Sequence, residues 1–258
     1  MMLEKMIEIA KEAGKFLKNN EGKISEIKEK GSFSNLVTNI DKGSEAMIKD
    51  FIARNFPGHG ILAEESGASL QLSEYKWIID PLDGTTNYTH SYPVYCVSVG
   101  LERKDEVVAG VVYDPNFDEL FSAERGSGSY LNGKRLRVTA TNYLEQSLLA
   151  TGFPYDVRNN PFNCIQHFNE FLLAAQGMRR LGSAALDICY IAAGRLDGFW
   201  EVNLHPWDTA AAVLITTEAG GRVTDFEGGK YSIYQNNILL SNGLIHDQMI
   251  KVLKKNLI

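Results

Sequence analysis

Lys76-Trp77-Ile78-Ile79-Asp80-Pro81-Leu82-Asp83-Gly84-Thr85-Thr86-Asn87-Tyr88 is the stretch on which the reading of this chain turns. Residues 76–79 form a short apolar run of the kind a buried strand needs. Pro81 has no N–H to give to a ladder and marks where that strand is expected to stop. Asp80 therefore falls at a strand end. Two carboxylates separated by a proline and one apolar residue, then Gly-Thr-Thr, set hard oxygen ligands beside backbone N–H groups at the start of a helix. That combination suits a divalent cation holding a phosphate. The same residues admit a plainer account, because Asp-Pro and Asp-Gly are common turn dipeptides and Asp83 alone suits a helix cap. The stretch by itself leaves both readings open.

Upstream, residues 60–63 read as a strand leading into Glu64-Glu65, a second carboxylate pair at a strand end, although paired glutamates equally suit a solvated face. Asp41 precedes the apolar stripe Met47, Ile48, Phe51 and Ile52, which ends near Phe56-Pro57-Gly58, so it is expected as the N-cap of a helix. Capping explains Asp41 without any catalysis. Leu3, Met6, Ile7, Ala10, Gly14 and Leu17 recur at helical spacing before the stop signal in residues 19–22, and predict an opening amphipathic helix. Residues 25–30 alternate weakly, as an edge strand would, and residues 31–35 form a loop by composition. Lys30, at the start of that loop, reads as ordinary surface charge.

Downstream, residues 95–101, 107–113 and 119–123 are strand-like, and Asn132-Gly133 is a strong hairpin signal, so an antiparallel sheet is expected. With the helices before it, the first half reads as α+β layers. From about residue 147 short apolar runs (148–151, 198–200, 223–225, 238–241) alternate with helical segments near 162–176, 184–193, 209–219 and 246–257, the pattern of an α/β half. Gly194 and Gly220-Gly221 fit helix C-caps. Asp208 opens the apolar helix of residues 209–219, where N-capping accounts for it as well as metal binding does. Grouped with Glu64, Asp80 and Asp83, it would complete an oxygen cage that is unstable without a bound cation.

At 258 residues, with 44% hydrophobic and 22% charged, the chain has the length and composition of an ordinary globular protein with a full core. Its 32 acidic and 26 basic residues give a net charge of −6, which argues against a general nucleic-acid binder. Cys96, Cys164 and Cys189 lie apart among apolar residues without metal-ligand spacing and are expected as buried thiols in a reducing compartment. The opening residues carry no signal- or transit-peptide pattern, and no run reaches the ~20 apolar residues of a membrane span. The expected location is cytoplasmic, away from any membrane. The five histidines are scattered and expected in structural or exposed roles. No Gly-x-Ser-x-Gly elbow occurs, against a serine hydrolase, and the one Gly-x-x-x-x-Gly-Lys match, residues 128–134, is followed by Arg135 where a P-loop needs Ser or Thr.

Residues 77–90 (WIIDPLDGTTNYTH) and 207–221 (WDTAAAVLITTEAGG) resemble the two signature segments of the inositol monophosphatase family, a group of Mg²⁺-dependent, lithium-sensitive phosphatases. Residues 36–41, 62–66, 150–154 and 181–187 match in the same order, so the resemblance spans essentially the whole chain. The Thr-Gly-Phe-Pro and Arg-Arg-Leu-Gly-Ser-Ala-Ala stretches look most like its bacterial branch. The resemblance implies alternating α-β-α-β-α layers of the sugar-phosphatase kind. It divides the chain into an α+β half, residues 1–140, carrying most metal ligands, and an α/β half, residues 141–258, supplying Asp208 and substrate contacts. The two form one catalytic unit.

By that resemblance Glu64, Asp80, the Leu82 carbonyl, Asp83 and Asp208 bind two or three Mg²⁺ per active site, with Asp80 bridging two ions. Gly84 and Thr85 hold the phosphate through backbone N–H groups, Thr85 and Glu64 orient the attacking water, and Asp41 supports Thr85. Gly182, Ser183, Ala184 and Glu201 face the ring hydroxyls of the substrate, with Asp83 and Asp208 also beside it, and Lys30 is a mobile-loop lysine near the site. The implied reaction is hydrolysis of a small phosphomonoester, foremost myo-inositol 1-phosphate, by a metal-activated water. Relatives with this cage also act on sugar bisphosphates, nucleotide phosphates or NADP, and fructose-1,6-bisphosphatase activity is an alternative. A regulatory binding role towards a transcription or ribosome-associated partner is the rival from another class, and a homodimer is implied. Asn35 departs from the pattern, since the family commonly has Asp there.

Overall fold

The computed structural model describes residues 2–30, 35–69 and 73–255. In chain order its first elements are α1 (Met2–Asn19), β1 (Ile27–Glu29), β2 (Leu36–Thr38), α2 (Asn39–Asn55), β3 (Gly60–Ala63), β4 (Gly67–Ala68), β5 (Tyr75–Asp83), α3 (Thr85–Thr89), β6 (Cys96–Arg103), β7 (Glu106–Asp114), β8 (Glu119–Glu124), β9 (Gly128–Leu131) and β10 (Lys134–Arg135). There follow β11 (Leu148–Thr151), α4 (Cys164–Ala174), β12 (Gly177–Arg179), α5 (Ala184–Ala192), β13 (Gly198–Val202), α6 (Pro206–Glu218), β14 (Arg222–Thr224), β15 (Asn237–Ser241) and α7 (His246–Lys254).

Side-chain alternation sorts these elements into layers. Trp77 and Ile79 of β5, Val97, Val99 and Leu101 of β6 and Val111 of β7 pack with Met6, Ile9, Leu17, Ile48 and Phe51 from α1 and α2. Cys96, Val112 and Phe121 of the same sheet belong instead to a second cluster with Leu186, Ile188, Ala211, Ala212 and Ile215 of α5 and α6. That helix pair also covers Ala150, Phe199 and Leu240 of a second sheet. Leu149, Trp200 and Leu239 of the second sheet pack with Phe171 of α4 and Met249 and Leu253 of α7. The result is the expected order helix, sheet, helix, sheet, helix. Each large apolar side chain buried this way contributes about 1.5–3 kcal/mol before entropy is counted.

The first sheet has eight strands in the order β10-β9-β8-β7-β6-β5-β3-β4, and the second has five in the order β12-β11-β13-β15-β14. The expected antiparallel meander is present from β5 to β10, whereas β3 joins β5 in parallel. In the second sheet β11 runs parallel to both its neighbours and β15 antiparallel to both of its own. The middle helix layer sits unusually close to the first sheet. A Cβ on Gly110 would lie 2.8 Å from the backbone of Ala211, and one on Gly100 would lie 3.0 Å from the Ala210 Cβ. Two strand positions without side chains thus let α6 lie against β6 and β7, which fixes where its N-terminus and Asp208 end up.

Several sequence expectations change in detail. β5 does not stop at Pro81; it continues to Asp83, with Asp80 opposite Ser98, Asp83 opposite Cys96, and a register shift between them. A proline at a bulge removes no ladder bond, so the strand tolerates it. Asp41 is not the N-cap of α2. Thr38 is, and Asp41 is its third residue, closing a capping box. The weak strand of residues 25–30 is β1, paired with the unforeseen β2. Of the expected loop 31–35, residues 31–34 lie outside the described residues, as do residues 256–257 of the expected last helix. The three cysteines are free and buried. Among the described residues no helix is long and apolar enough to cross a membrane.

Candidate active site

Four carboxylates reach one place from three elements, with Asp80 and Asp83 both on β5. β3 and β5 are parallel with Ala63 opposite Ile79, so Glu64, just past the end of β3, comes beside Asp80 of β5; Glu64 N donates to the Ile79 carbonyl at 3.2 Å. The bulge then turns the chain. Asp80 Oδ1 accepts from Leu82 N at 3.0 Å, Gly84 takes φ 99°, and α3 begins at Thr85. At that φ a side chain is strained, and a Cβ on Gly84 would stand 2.9 Å from the Val94 carbonyl.

Asp41 lies behind this turn. One of its oxygens accepts from Thr38 N at 2.8 Å, and the other is 2.9 Å from Thr85 Oγ1, which also lies 3.1 Å from the Leu82 carbonyl. Asp83 reaches across to the second half of the chain. Its Oδ2 accepts from Ser183 Oγ at 2.7 Å and from Ala185 N at 2.8 Å. Ser183 is also the N-cap of α5, so this one carboxylate seats that helix. Asp208 arrives on α6, whose first position is Pro206; its Oδ2 accepts from His205 N at 2.6 Å. Like Asp41, it is the third residue of its helix and not the cap.

The charges crowd one another. Burial raises the pKa of Asp80 well above the usual carboxylate range, and Glu64, Asp83 and Asp208 raise it further. Asp208 moves the same way, through burial and then the charges of Asp83 and Glu64. Burial also raises Asp83, against the pull of the Ser183 hydroxyl and the Ala185 N–H. Glu64 is pushed up to about 7 by burial, although Lys30, 2.9 Å from its Oε1, opposes the shift. Burial lowers the Lys30 ammonium, but Glu64 and Glu65 outweigh it and the net direction is up.

As arranged, no group of three or more Asp, Glu, His or Cys side chains among the described residues forms a ready coordination sphere. The donor set nevertheless suits a hard cation. Among the described residues one oxygen of Asp80 and one of Asp208 are held by backbone N–H groups, and no donor is placed on the other. The Lys30 ammonium supplies positive charge at Glu64 and Glu65. Carboxylates and a carbonyl fixed on one side and open on the other are what Mg²⁺ takes in place of part of its water shell.

Beside this cluster is a cleft of about 440 Å³. Glu64, Asp83, Gly182, Ser183, Ala184, Glu201 and Asp208 line it directly. Lys30 bonds to Glu64 at its edge, while Asp41 and Thr85 bond to each other and Thr85 to the Leu82 carbonyl. All the residues singled out from the sequence are therefore in or adjoining one region. The cleft also includes Tyr155, Arg180, Asp187 and His205, which sequence reasoning did not single out. Tyr155 follows the Thr-Gly-Phe-Pro stretch, Arg180 lies within the Arg-Arg-Leu-Gly-Ser-Ala-Ala stretch and Asp187 ends the matching segment 181–187, the signs in the sequence that pointed their way. His205 is exposed and is the N-cap of the helix that carries Asp208, in keeping with the structural or exposed role expected of the histidines, and it also lines the cleft. Asn35 has its side-chain oxygen buried without a donor among the described residues.

A cleft lined by clustered carboxylates and by the N-termini of α5 and α6 suits a phosphate-handling hydrolase. The chain belongs to the inositol monophosphatase family, whose pattern it matches over residues 2–257, and is a phosphoric monoester hydrolase. It is 44% identical over 256 residues to an inositol-1-monophosphatase of Synechocystis sp., covering 97% of this chain and 89% of that one. It is 41% identical over 259 residues to the Escherichia coli protein called Nus factor SuhB, covering 99% and 97%. The crystal structure of the extragenic suppressor protein SuhB from Bartonella henselae superposes with a TM-score of 0.94 at 40% identity, covering 99% of both chains.

Proposed function

We propose that this protein is a Mg²⁺-dependent phosphatase whose preferred substrate is myo-inositol 1-phosphate. The carrying observation is the convergence of Glu64, Asp80, Asp83 and Asp208 from both halves of the chain on one cleft, with their charges raising one another's pKa. Glu64, Asp80, the Leu82 carbonyl, Asp83 and Asp208 would hold two or three Mg²⁺. When bound, Mg²⁺ supplies an activated water and offsets the negative charge of the phosphate and the departing oxygen.

The protein's own groups do the positioning. Thr85 Oγ1, with its proton directed at Asp41 or the Leu82 carbonyl, keeps a lone pair for a proton of the attacking water. Glu64, whose pKa burial raises to about 7, is in its ionised form a carboxylate basic enough to take a proton from that water. Gly84 and Thr85 offer backbone N–H groups to the phosphate oxygens, and Glu201 meets the hydroxyls of the departing alcohol. Residues 1–140 and 141–258 act as one catalytic unit on this reading, because Asp83 is bonded to Ser183 and Ala185. The homodimer belongs to the same proposal; Leu172 and Leu173 of α4 are 53% and 86% exposed, apolar surface that a second copy would cover.

Phosphate release from myo-inositol 1-phosphate, fructose 1,6-bisphosphate, a nucleoside monophosphate and NADP, each with and without Mg²⁺, tests the assignment. The expected result is Mg²⁺-dependent turnover with the inositol ester preferred. Preference for the bisphosphate moves the substrate, and no turnover of any ester overturns the reading. A binding role towards a transcription or ribosome-associated partner is the second reading, favoured by the Escherichia coli relative called a Nus factor. The full acidic set argues that catalysis accompanies any such role, since a binding surface has no need of it.

A further inference from the structure

Asp187 has no part in the chemistry above, yet it is among the most unusual side chains in the molecule. It is 1% exposed, lines the cleft, and its Oδ1 is buried without a hydrogen-bond partner among the described residues. Glu201, 8% exposed, lines the same cleft and likewise takes no hydrogen bond from the described residues. Room for it is made by Gly152, where any Cβ would collide with both carboxyl oxygens. Buried polar atoms in native proteins almost always have partners, and leaving one bare is costly. The unpartnered Asp187 oxygen and the Glu201 carboxyl beside the same cleft are acceptors for donors that a ligand brings.

Position narrows the kind of ligand. Ser183 and Asp187 are one turn apart on α5, and Ser183 is bonded to Asp83. Asp187 therefore stands about 6 Å along the helix axis from Ser183, the residue bonded to Asp83 of the acidic cluster. Arg180 lines the cleft too, and its positive charge acts on both Asp187 and Glu201. With a cation already there, a neutral ligand rich in hydroxyls is favoured over an amine.

We infer that Asp187 is a specificity-determining residue which, paired with Glu201, accepts hydrogen bonds from two hydroxyls of a polyol leaving group. This deepens the phosphatase reading and rests on it. A site that offers acceptors to hydroxyls selects against esters lacking them far more strongly than a hydrophobic pocket selects for size.

The test compares the wild type with Asp187→Asn and Asp187→Ala. For myo-inositol 1-phosphate, KM is expected to rise about 10-fold or more while kcat changes little. Phenyl phosphate, whose leaving group has no further hydroxyl, should keep its kcat/KM within about twofold. The melting temperature should stay level or rise, because an unpartnered buried carboxyl is a cost to the fold. Equal losses on both esters with a lowered melting temperature would make Asp187 a structural residue and overturn the inference. Preference for phosphoethanolamine over the inositol ester would overturn the polyol class. Calorimetric titration with free myo-inositol separates the two levels of argument. If no ester is hydrolysed, the phosphatase reading fails, but weaker myo-inositol binding by Asp187→Asn still upholds the subsite; equal binding, or none in either protein, refutes it.

Discussion

Asp41 and Asp208 make the most instructive pair in the molecule. Each is the third residue of a helix, each accepts a hydrogen bond from the backbone N–H at its helix cap, and each adjoins the acidic cluster. Their second oxygens differ. That of Asp41 is engaged by Thr85 Oγ1, whereas that of Asp208 has no donor among the described residues and faces the charges of Asp83 and Glu64. One local motif thus yields a carboxylate with both oxygens engaged in the first half and one with an oxygen left open in the second. The local sequence cannot separate them, because capping geometry is common to both. What separates them is the neighbour, Thr85 in one case and a cleft in the other.

The contrast should be sharpest in mutants. Asp208→Asn, and with it Asp80→Asn, should leave the fold intact while turnover falls on the order of a thousandfold, several kcal/mol in the transition state. Phosphate release beside calorimetric Mg²⁺ titration reads this, and normal Mg²⁺ binding with near-normal turnover would falsify the ligand assignment. Asp41→Asn should behave differently, since both oxygens of Asp41 are engaged in the fold. It should lose about 1–2 kcal/mol of stability from the capping box and its partner bonds, and turnover about 10- to 100-fold through a misoriented Thr85. Thermal melts and kinetics on one preparation separate the two behaviours; a destabilised Asp208→Asn with an unaffected Asp41→Asn would invert the comparison.

The open oxygens also predict how pH and Mg²⁺ interact. The pKa values of Asp80 and Asp208 are raised, and that of Glu64 is about 7. A carboxyl whose pKa is higher folded than unfolded favours the fold fully below the unfolded value and loses that contribution as pH rises through the folded one. Without divalent cations the cluster's contribution should therefore decline between about pH 4.5 and 7 as Glu64 ionises. Mg²⁺ binds the ionised form, so its stabilising shift should be larger at pH 8 than at pH 5.5, by a few degrees in Tm. Equal shifts at both pH values would mean that these carboxyls do not take the ion. Lys30→Ala should give the smallest effect. Removing the ammonium beside Glu64 and Glu65 should change the Mg²⁺ concentration for half-maximal rate by a few-fold, with kcat little altered; a kcat loss as large as that of Asp208→Asn would place Lys30 in the chemistry instead.

Much of this arrangement was legible in the sequence. The strands of the first sheet follow from alternation and the Asn132-Gly133 turn, and Asp80-Pro81-Leu82-Asp83 with Asp208 pointed to the cluster. The failures share a cause. β2, β4 and β12 are two or three residues long, too short for any period to register. Pro81 was read as a terminator, although a bulge accommodates it. Asp187 was passed over at the end of the matching segment 181–187, because what makes it unusual is the lack of a partner for its Oδ1 among the described residues, a property only the tertiary structure defines.

The seat of α6 against Gly100 and Gly110 has a consequence for how the molecule comes into being. Asp83 meets Ser183 one hundred residues later in the chain, and Asp208 reaches the cluster only when α6 has settled on strands made long before it. Contacts so distant in sequence form late, since each must repay a long loop closure. During synthesis the first sheet can pack against α1 and α2 while the carboxylates of β5 still lie apart from Asp208. Glu64, Asp80 and Asp83 already share the first sheet, so only the repulsion added by Asp208 is postponed to the last stage of assembly, when α6 docks.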